Sequence, residues 1–278
     1  MHLLKSLLLV AVINAAMNLS AAVGYDRALR VAKGNVNIAD VVGNEKAFRR
    51  VAFTVATSNP KLNVSINPMP FAAAFAALKA GKVQIVVTDR LPSRSQRQKE
   101  GIRCFRYAID PVLFVVKTDN PLDNISISDL QKIFNEDILS WEPFTKQGYM
   151  IHLAGTHDNC PGFRALNQVV LKNRKIKAKY YKLEKASELV ILTTASKHML
   201  GFCGFISPGV QVKLLKVDGV EPTIKNIMSG KYRPSVSYYV CLNEKSGKTA
   251  YAIAGMLGTS RVRELMQQIG YLPASISR

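Results

Sequence analysis

Residues Tyr107–Trp141 read YAIDPVLFVVKTDNPLDNISISDLQKIFNEDILSW, and the fold turns on how this stretch is parsed. Val112–Val116 is a short apolar run rich in β-branched side chains; too brief for a soluble helix, it predicts a buried strand. Lys117 to Pro121 ends that strand, because proline cannot continue a central strand while Asp119 and Asn120 suit turn geometry. Ser126 then stands three residues before Asp129 as a helix start, and Leu130, Ile133 and Phe134 follow at helical spacing. Strand, polar turn and capped helix form one α/β unit.

The chain before it keeps the same rhythm. Leu29–Val31 predicts a strand leading into a loop at Lys33-Gly34-Asn35, and Phe48, Val51, Ala52 and Val55 mark the apolar face of a helix. Val64–Ile66 predicts a second strand, and Pro70 opens an alanine-rich helix that Gly81 closes. Val83–Val87 is a continuous apolar strand running into Thr88-Asp89-Arg90. Strands alternating with helices predict an α/β fold whose ligand loops lie at the carboxyl ends of the strands. After Trp141, a strand around Met150–Leu153 leads through residues 154–162 into a helix marked by Phe163, Leu166, Val170 and Leu171. Backbone N–H groups at such a helix start hold an anion without a charged side chain. Glu188–Leu192, Ala250–Leu257 and Val262–Ile269 predict further helices, and Leu200–Ile206 a further strand.

Residues 1–22 have the pattern of a signal peptide: Lys5, an apolar core from Leu7 to Ala16, then Ser20-Ala21-Ala22 as a cleavage site. A retained membrane anchor is the other reading, but the core is shorter than the ~20 residues a spanning helix needs. With no cysteine at the cleavage site to carry a lipid, these features predict export to a periplasm. The formal charge of +19 would concentrate anions around the protein, and export argues against nucleic acid as the partner. Cys104, Cys160, Cys203 and Cys241 form up to two disulfides in an oxidising compartment, and the sequence leaves all three connectivities open. His152, His157, Asp158 and Cys160 cluster, but at spacings that match no zinc signature, so no metal is expected. No nucleophile elbow, Walker or dinucleotide loop occurs, and neither an enzyme nor a cofactor is expected.

Ala108, Asp110, Asn120-Pro121, Leu130, Ile133-Phe134 and Trp141 resemble the segment where phosphate-specific periplasmic binding proteins of ABC transporters cross from one lobe to the other. The resemblance extends further. Lys82–Ser93 (KVQIVVTDRLPS) is similar to that family's strand and cleft aspartate, and Leu200–Ile206 (LGFCGFI) to a later strand. Residues 217–240, with Gly219-Val220-Glu221-Pro222-Thr223, Asn226-Ile227, Ser229-Gly230-Lys231-Tyr232 and Tyr238-Tyr239-Val240, match its return to the first lobe, and Gly270-Tyr271-Leu272-Pro273 its end. The resemblance implies a two-lobed α/β periplasmic-binding-protein fold, each lobe a mixed sheet flanked by helices. Lobe I would be 23–108 with 240–278, and lobe II 109–239. Two crossover strands near Cys104–Asp110 and Ser237–Leu242 would join them. It implies disulfides 104–241 and 160–203, and a monomer that captures phosphate or a similar small anion between its lobes for an ABC-transporter permease.

By position, the anion would meet Asn35, Phe71, Ala72, Ala73, Asp89, His157, Asp158 and Asn159. In the family an aspartate at the place of Asp89 accepts a proton-bearing ligand oxygen, which rejects fully ionised anions. Asp89 reads equally as a turn carboxylate paired with Arg90.

The ligand loops are where the sequence departs. Gly34-Asn35-Val36-Asn37 stands where the family has a Ser/Thr turn, and Met69-Pro70-Phe71 where it has a Gly/Ser-rich helix start. No arginine occurs in Tyr149–Asn159, and His157, Asp158 and Asn159 occupy a serine-glycine-threonine register. Each lost charge-assisted hydrogen bond costs about 1.5–3 kcal/mol. The alternative expectation is therefore a divergent member without high-affinity phosphate binding, acting as an accessory, sensory or partner-binding domain.

Overall fold

The computed structural model describes Leu29 and residues 32–274, apart from 44–45, 147, 159 and 207–208. The leader expected over residues 1–22 lies outside the described residues. Among those described, no helix is long and apolar enough to cross a membrane. The chain divides into two compact units. The first ends at Tyr107 and takes back Tyr238–Met266 and Ala274; the second is Ala108–Ser237 with Gln267–Pro273.

The first unit opens β1 (Gly34–Asp40), α1 (Lys46–Ser58), β2 (Leu62–Pro68), α2 (Phe71–Ala80), β3 (Ile85–Thr88), α3 (Arg94–Lys99), β4 (Arg103–Pro111). Strand β1 pairs in parallel with β2 and β3. Ile85–Thr88 is wholly buried, as its unbroken apolar run requires. Helix α1 covers the sheet with Phe48, Val51 and Ala52, and α2 with Ala74, Phe75 and Leu78. Pro70 is the N-cap of α2 rather than its first residue, and Gly81, at φ +76°, closes it with its N–H directed back to the last turn.

The strand expected at Leu29–Val31 falls largely outside the described residues, 30–31 among them, and the loop expected at Lys33-Gly34-Asn35 is corrected: the first described strand, β1, takes in Gly34 and Asn35. From Asn35 to Ile38 burial alternates with period two, Asn35 exposed, Val36 buried, Asn37 half-buried and Ile38 buried, and at Ala39 and Asp40 both faces of the strand are buried. The polar positions are satisfied across the sheet, Asn37 Oδ1 accepting from Ser65 Oγ at 2.8 Å and its N–H donating to Gln84 Oε1 at 2.8 Å.

The second unit continues with β5 (Leu113–Val116), β6 (Asn124–Ile125), α4 (Ile127–Phe134), β7 (His152–Thr156), α5 (Phe163–Ala165) running into a π-helical stretch Leu166–Val170, β8 (Tyr180–Leu183), α6 (Ala186–Ala195), β9 (Met199–Cys203), β10 (Lys213–Leu214), β11 (Lys216–Val217), α7 (Ile224–Met228). Its main sheet has the order β10-β5-β9-β7-β8, with β7 parallel to both neighbours and β5 antiparallel to β9. The opening stretch folds as its residues require. Leu113–Val116 is fully buried, Asn120 Oδ1 accepts from Leu122 N–H at 2.9 Å, and Ser126 Oγ accepts from Asp129 N–H at 2.9 Å. Leu130, Ile133 and Phe134 face inward, and Trp141 is buried with its indole N–H on the His198 carbonyl at 3.2 Å.

The chain ends with β12 (Ser235–Leu242), α8 (Gly247–Met256), α9 (Ser260–Gln268), β13 (Leu272–Pro273). Both β4 and β12 run from one unit into the other, so the α/β class with two mixed sheets and two crossover strands is observed. Cys104 and Cys241 are disulfide-bonded on these two strands. The expected 160–203 bridge is corrected: no disulfide joins these two cysteines. Cys203 is fully buried within β9, whereas Cys160 Sγ lies 3.8 Å from the Glu184 carbonyl oxygen.

Candidate functional site

In the first unit, backbone bonds draw three strand-end loops together. Val41 N–H donates to the Val87 carbonyl at 2.9 Å, and Met69 N–H to the Asp40 carbonyl at 3.1 Å. Residues 40–43, 69–71 and 88–90 therefore sit side by side at the carboxyl ends of β1, β2 and β3, where an α/β sheet offers its binding crevice. Asp40 is buried; Oδ1 accepts from Gly43 N–H at 2.9 Å and Oδ2 from Arg49 Nη2 at 3.0 Å. This pair staples α1 to the end of β1 and brings a guanidinium to the loop.

Helix α2 starts at this rim without a side-chain cap. Three helices elsewhere are capped by a hydroxyl: Ser93, Ser126 and Thr223 each accept an N–H of the first turn. The first-turn N–H groups of Phe71, Ala72 and Ala73 thus carry the positive end of the helix dipole with no oxygen side chain placed on them. Phe71 packs on Phe75 at 4.8 Å, and the Arg90 guanidinium lies 4.4 Å from its ring centroid. Phe71 thus carries a cation at the rim. Thr88 fixes the third loop, its hydroxyl accepting from Arg90 N–H at 3.2 Å and donating to the Arg90 carbonyl at 2.9 Å. Half-buried Asp89 stands on that turn.

In the second unit, β7 delivers His157 and Asp158. His157 Nε2 is 2.9 Å from Glu184 Oε2, and Asp158 lies exposed, 4.0 Å from Lys182 Nζ. Asn159 lies outside the described residues. At the start of α5, Gly162 N–H donates to the buried Asp110 Oδ1 at 2.6 Å. Gly162 is at φ +88°, and a Cβ there would come within 2.5 Å of the Cys203 backbone, so only glycine fits. Burial, aided by the Asp158 carboxylate, raises the Tyr180 phenol above its ordinary range.

Phe71, Ala72, Ala73 and Asp89 are thus brought to one rim, and His157 and Asp158 to one loop of the other unit. Asn35 is not part of the cluster: it begins β1, paired with Asn63, at the end of the strand opposite to Asp40. Asp40 and Arg49 went unread because Gly34-Asn35 was taken for a loop; the polar–apolar alternation from Asn35 to Ile38 is the signal that finds the strand ending in Asp40. Arg90 was read only as a partner for Asp89. His152 and His157 occupy opposite ends of β7, and among the described residues no three His, Cys, Asp or Glu side chains are grouped to hold a metal.

The family model described as PBP superfamily domain matches residues 44–257. Protein SphX of Synechococcus elongatus is 21% identical over 238 residues, 77% of this chain and 70% of that protein. Among solved structures, PstS from Borrelia burgdorferi superposes with a TM-score of 0.64 at 16% identity, covering 88% of this chain and 100% of its own. A protein from Planctomyces limnophilus, described as a possible phosphate binding protein, superposes at 0.75 with 18% identity, covering 87% and 93%.

Proposed function

Because the chain belongs to the PBP superfamily, we propose that it is an exported solute-binding protein that captures phosphate or a related small oxyanion for an ABC-transporter permease. Membership places it among binding proteins rather than enzymes. The ligand class is supported by the Planctomyces protein and by PstS of Borreliella burgdorferi, a relative named as a phosphate-binding protein. The observation that carries the reading is the rim of the first unit: an uncapped N-terminus of α2, the Arg90 guanidinium held over Phe71, and Asp89 on the adjoining turn.

In this reading the Phe71, Ala72 and Ala73 N–H groups and Arg90 neutralise the anion, and Asp89 accepts the proton that hydrogen phosphate carries. Sulfate, which has no proton at neutral pH, meets the Asp89 carboxylate as a repulsion. A thermal-shift panel tests this. At 1 mM phosphate and a micromolar Kd the ligand adds about 4 kcal/mol, a rise of about 8–16 °C. Phosphate and arsenate are expected to raise Tm and sulfate to leave it unchanged, with Asp89→Asn reducing the preference.

A second reading is favoured by the other unit. The Glu184 carboxylate occupies His157, and the Asp110 carboxylate takes the N–H at the start of α5. Both oppose an anion there, and suit a divergent member that uses the scaffold as a sensory, accessory or partner-binding domain. No oxyanion would then move Tm.

A further inference from the structure

We infer that the basic segment Lys172–Lys185 of the second unit is a docking surface for a lipid bilayer bearing anionic headgroups. This goes beyond the solute-binding reading and does not depend on which anion the protein captures. Over the whole chain Lys and Arg outnumber Asp and Glu by 38 to 19. In these fourteen residues the ratio is seven to one, and all seven cations are exposed. The single acid, Glu184, is already paired with His157 at 2.9 Å. Asp158 lies 4.0 Å from Lys182, so six cations remain with no carboxylate ion pair among the described residues; a cluster of this density is what an anionic surface recognises.

The backbone fixes the segment in place. Lys172 and Asn173 are both left-handed, at φ +52° and +61°, and turn the chain out of the preceding π-helical stretch. Lys177 and Ala178 N–H then both donate to the Phe134 carbonyl at 3.1 Å, and Arg174 Nη2 donates to Gln131 Oε1 at 3.2 Å. The segment ends in β8, the outermost strand of its sheet. Lysine on an edge strand deters pairing with another chain, but five of the seven cations precede the strand and are not needed for that.

Tyr181 favours a bilayer over a linear polyanion. It is 59% exposed between Lys179 and Lys182, an aromatic ring where lysines would meet headgroups, as tyrosines do at membrane interfaces. Single-stranded nucleic acid is held on several stacking rings; here Tyr180 packs against Phe202 at 5.2 Å, which leaves Tyr181 alone.

The test is co-sedimentation of the purified protein with vesicles of phosphatidylcholine alone or with one third phosphatidylglycerol, at low and high salt. Binding to the anionic vesicles at low salt, and none to the neutral ones, is expected. Each cation near such a surface strengthens binding by about fivefold, so K175E/K177E/K179E should weaken it by about a hundredfold or more. K216E/K225E/K231E changes net charge equally at exposed sites outside the segment and should have little effect; melting curves confirm that both variants fold. Wild-type protein that stays in the supernatant overturns the inference, as does equal weakening by the two triple variants. Displacement from anionic vesicles by a single-stranded oligonucleotide at equal phosphate concentration would assign the segment to a linear polyanion and also overturn it.

Discussion

At Asp89 and Arg90 a carboxylate and a guanidinium stand on adjacent residues of one turn, the pair with which the proposed site would attract an anion and inspect its protonation. Arg90→Ala removes one charge-assisted contact, about 1.5–3 kcal/mol, and should weaken phosphate binding by about one to two decades in a titration. The two cysteines outside the disulfide make a second residue-scale prediction. Burial pushes the Cys203 thiol up to about 12, so at pH 8 it stays protonated and enclosed while the half-buried Cys160 is accessible. An alkylating reagent should therefore label one thiol per native molecule and two in denaturant without reductant. The same burial sets a sign in alkali. The unfolded thiol ionises near its ordinary 9.0 and the folded one only at about 12, so between them the unfolded state holds fewer protons. Stability should fall as pH rises through that window, by up to about 1.4 kcal/mol per unit, as urea melts at pH 8, 9.5 and 10.5 would record. Asp89 was legible by resemblance to a known loop. Arg90 over Phe71 was not, because a cation–π contact between two strand-end loops leaves no trace in spacing.

Among the elements, the strand–turn–helix at Val112–Phe134 was readable because each signal is local: an apolar run, an Asx turn, a Ser cap. The first strand was misplaced because its polar residues, Asn35 and Asn37, look like a loop until the partners that satisfy them, Ser65 and Gln84, are known. The 160–203 bridge was wrongly expected for a similar reason, since a pairing implied by a family's layout carries no information on where each sulfur points. The close approaches around Gly155 and Gly162 were equally hidden. Gly155→Ala would place a Cβ 2.2 Å from the Phe202 ring, and Gly162→Ala adds a strained φ to a clash with backbone. Overpacking of this kind costs about 1–3 kcal/mol, more where backbone must move, so Gly162→Ala should lower Tm further than Gly155→Ala.

For the whole molecule, the disulfide joins residues 137 apart on the two strands that run between the units. Closing a loop of that size restricts the unfolded chain, and such bridges contribute typically about 2–4 kcal/mol. The double variant Cys104→Ser/Cys241→Ser should lose that much in urea melts. The fold class was legible because alternating strands and helices admit few architectures; the ligand was not, because the loops that would hold it depart from the resemblance that revealed the fold. Isothermal titration of phosphate into protein freed of ligand by refolding addresses the central claim most directly. The account predicts micromolar or tighter binding that Arg90→Ala weakens by about one to two decades. Absence of heat with phosphate would contradict it, and leave a solute-binding scaffold put to another use.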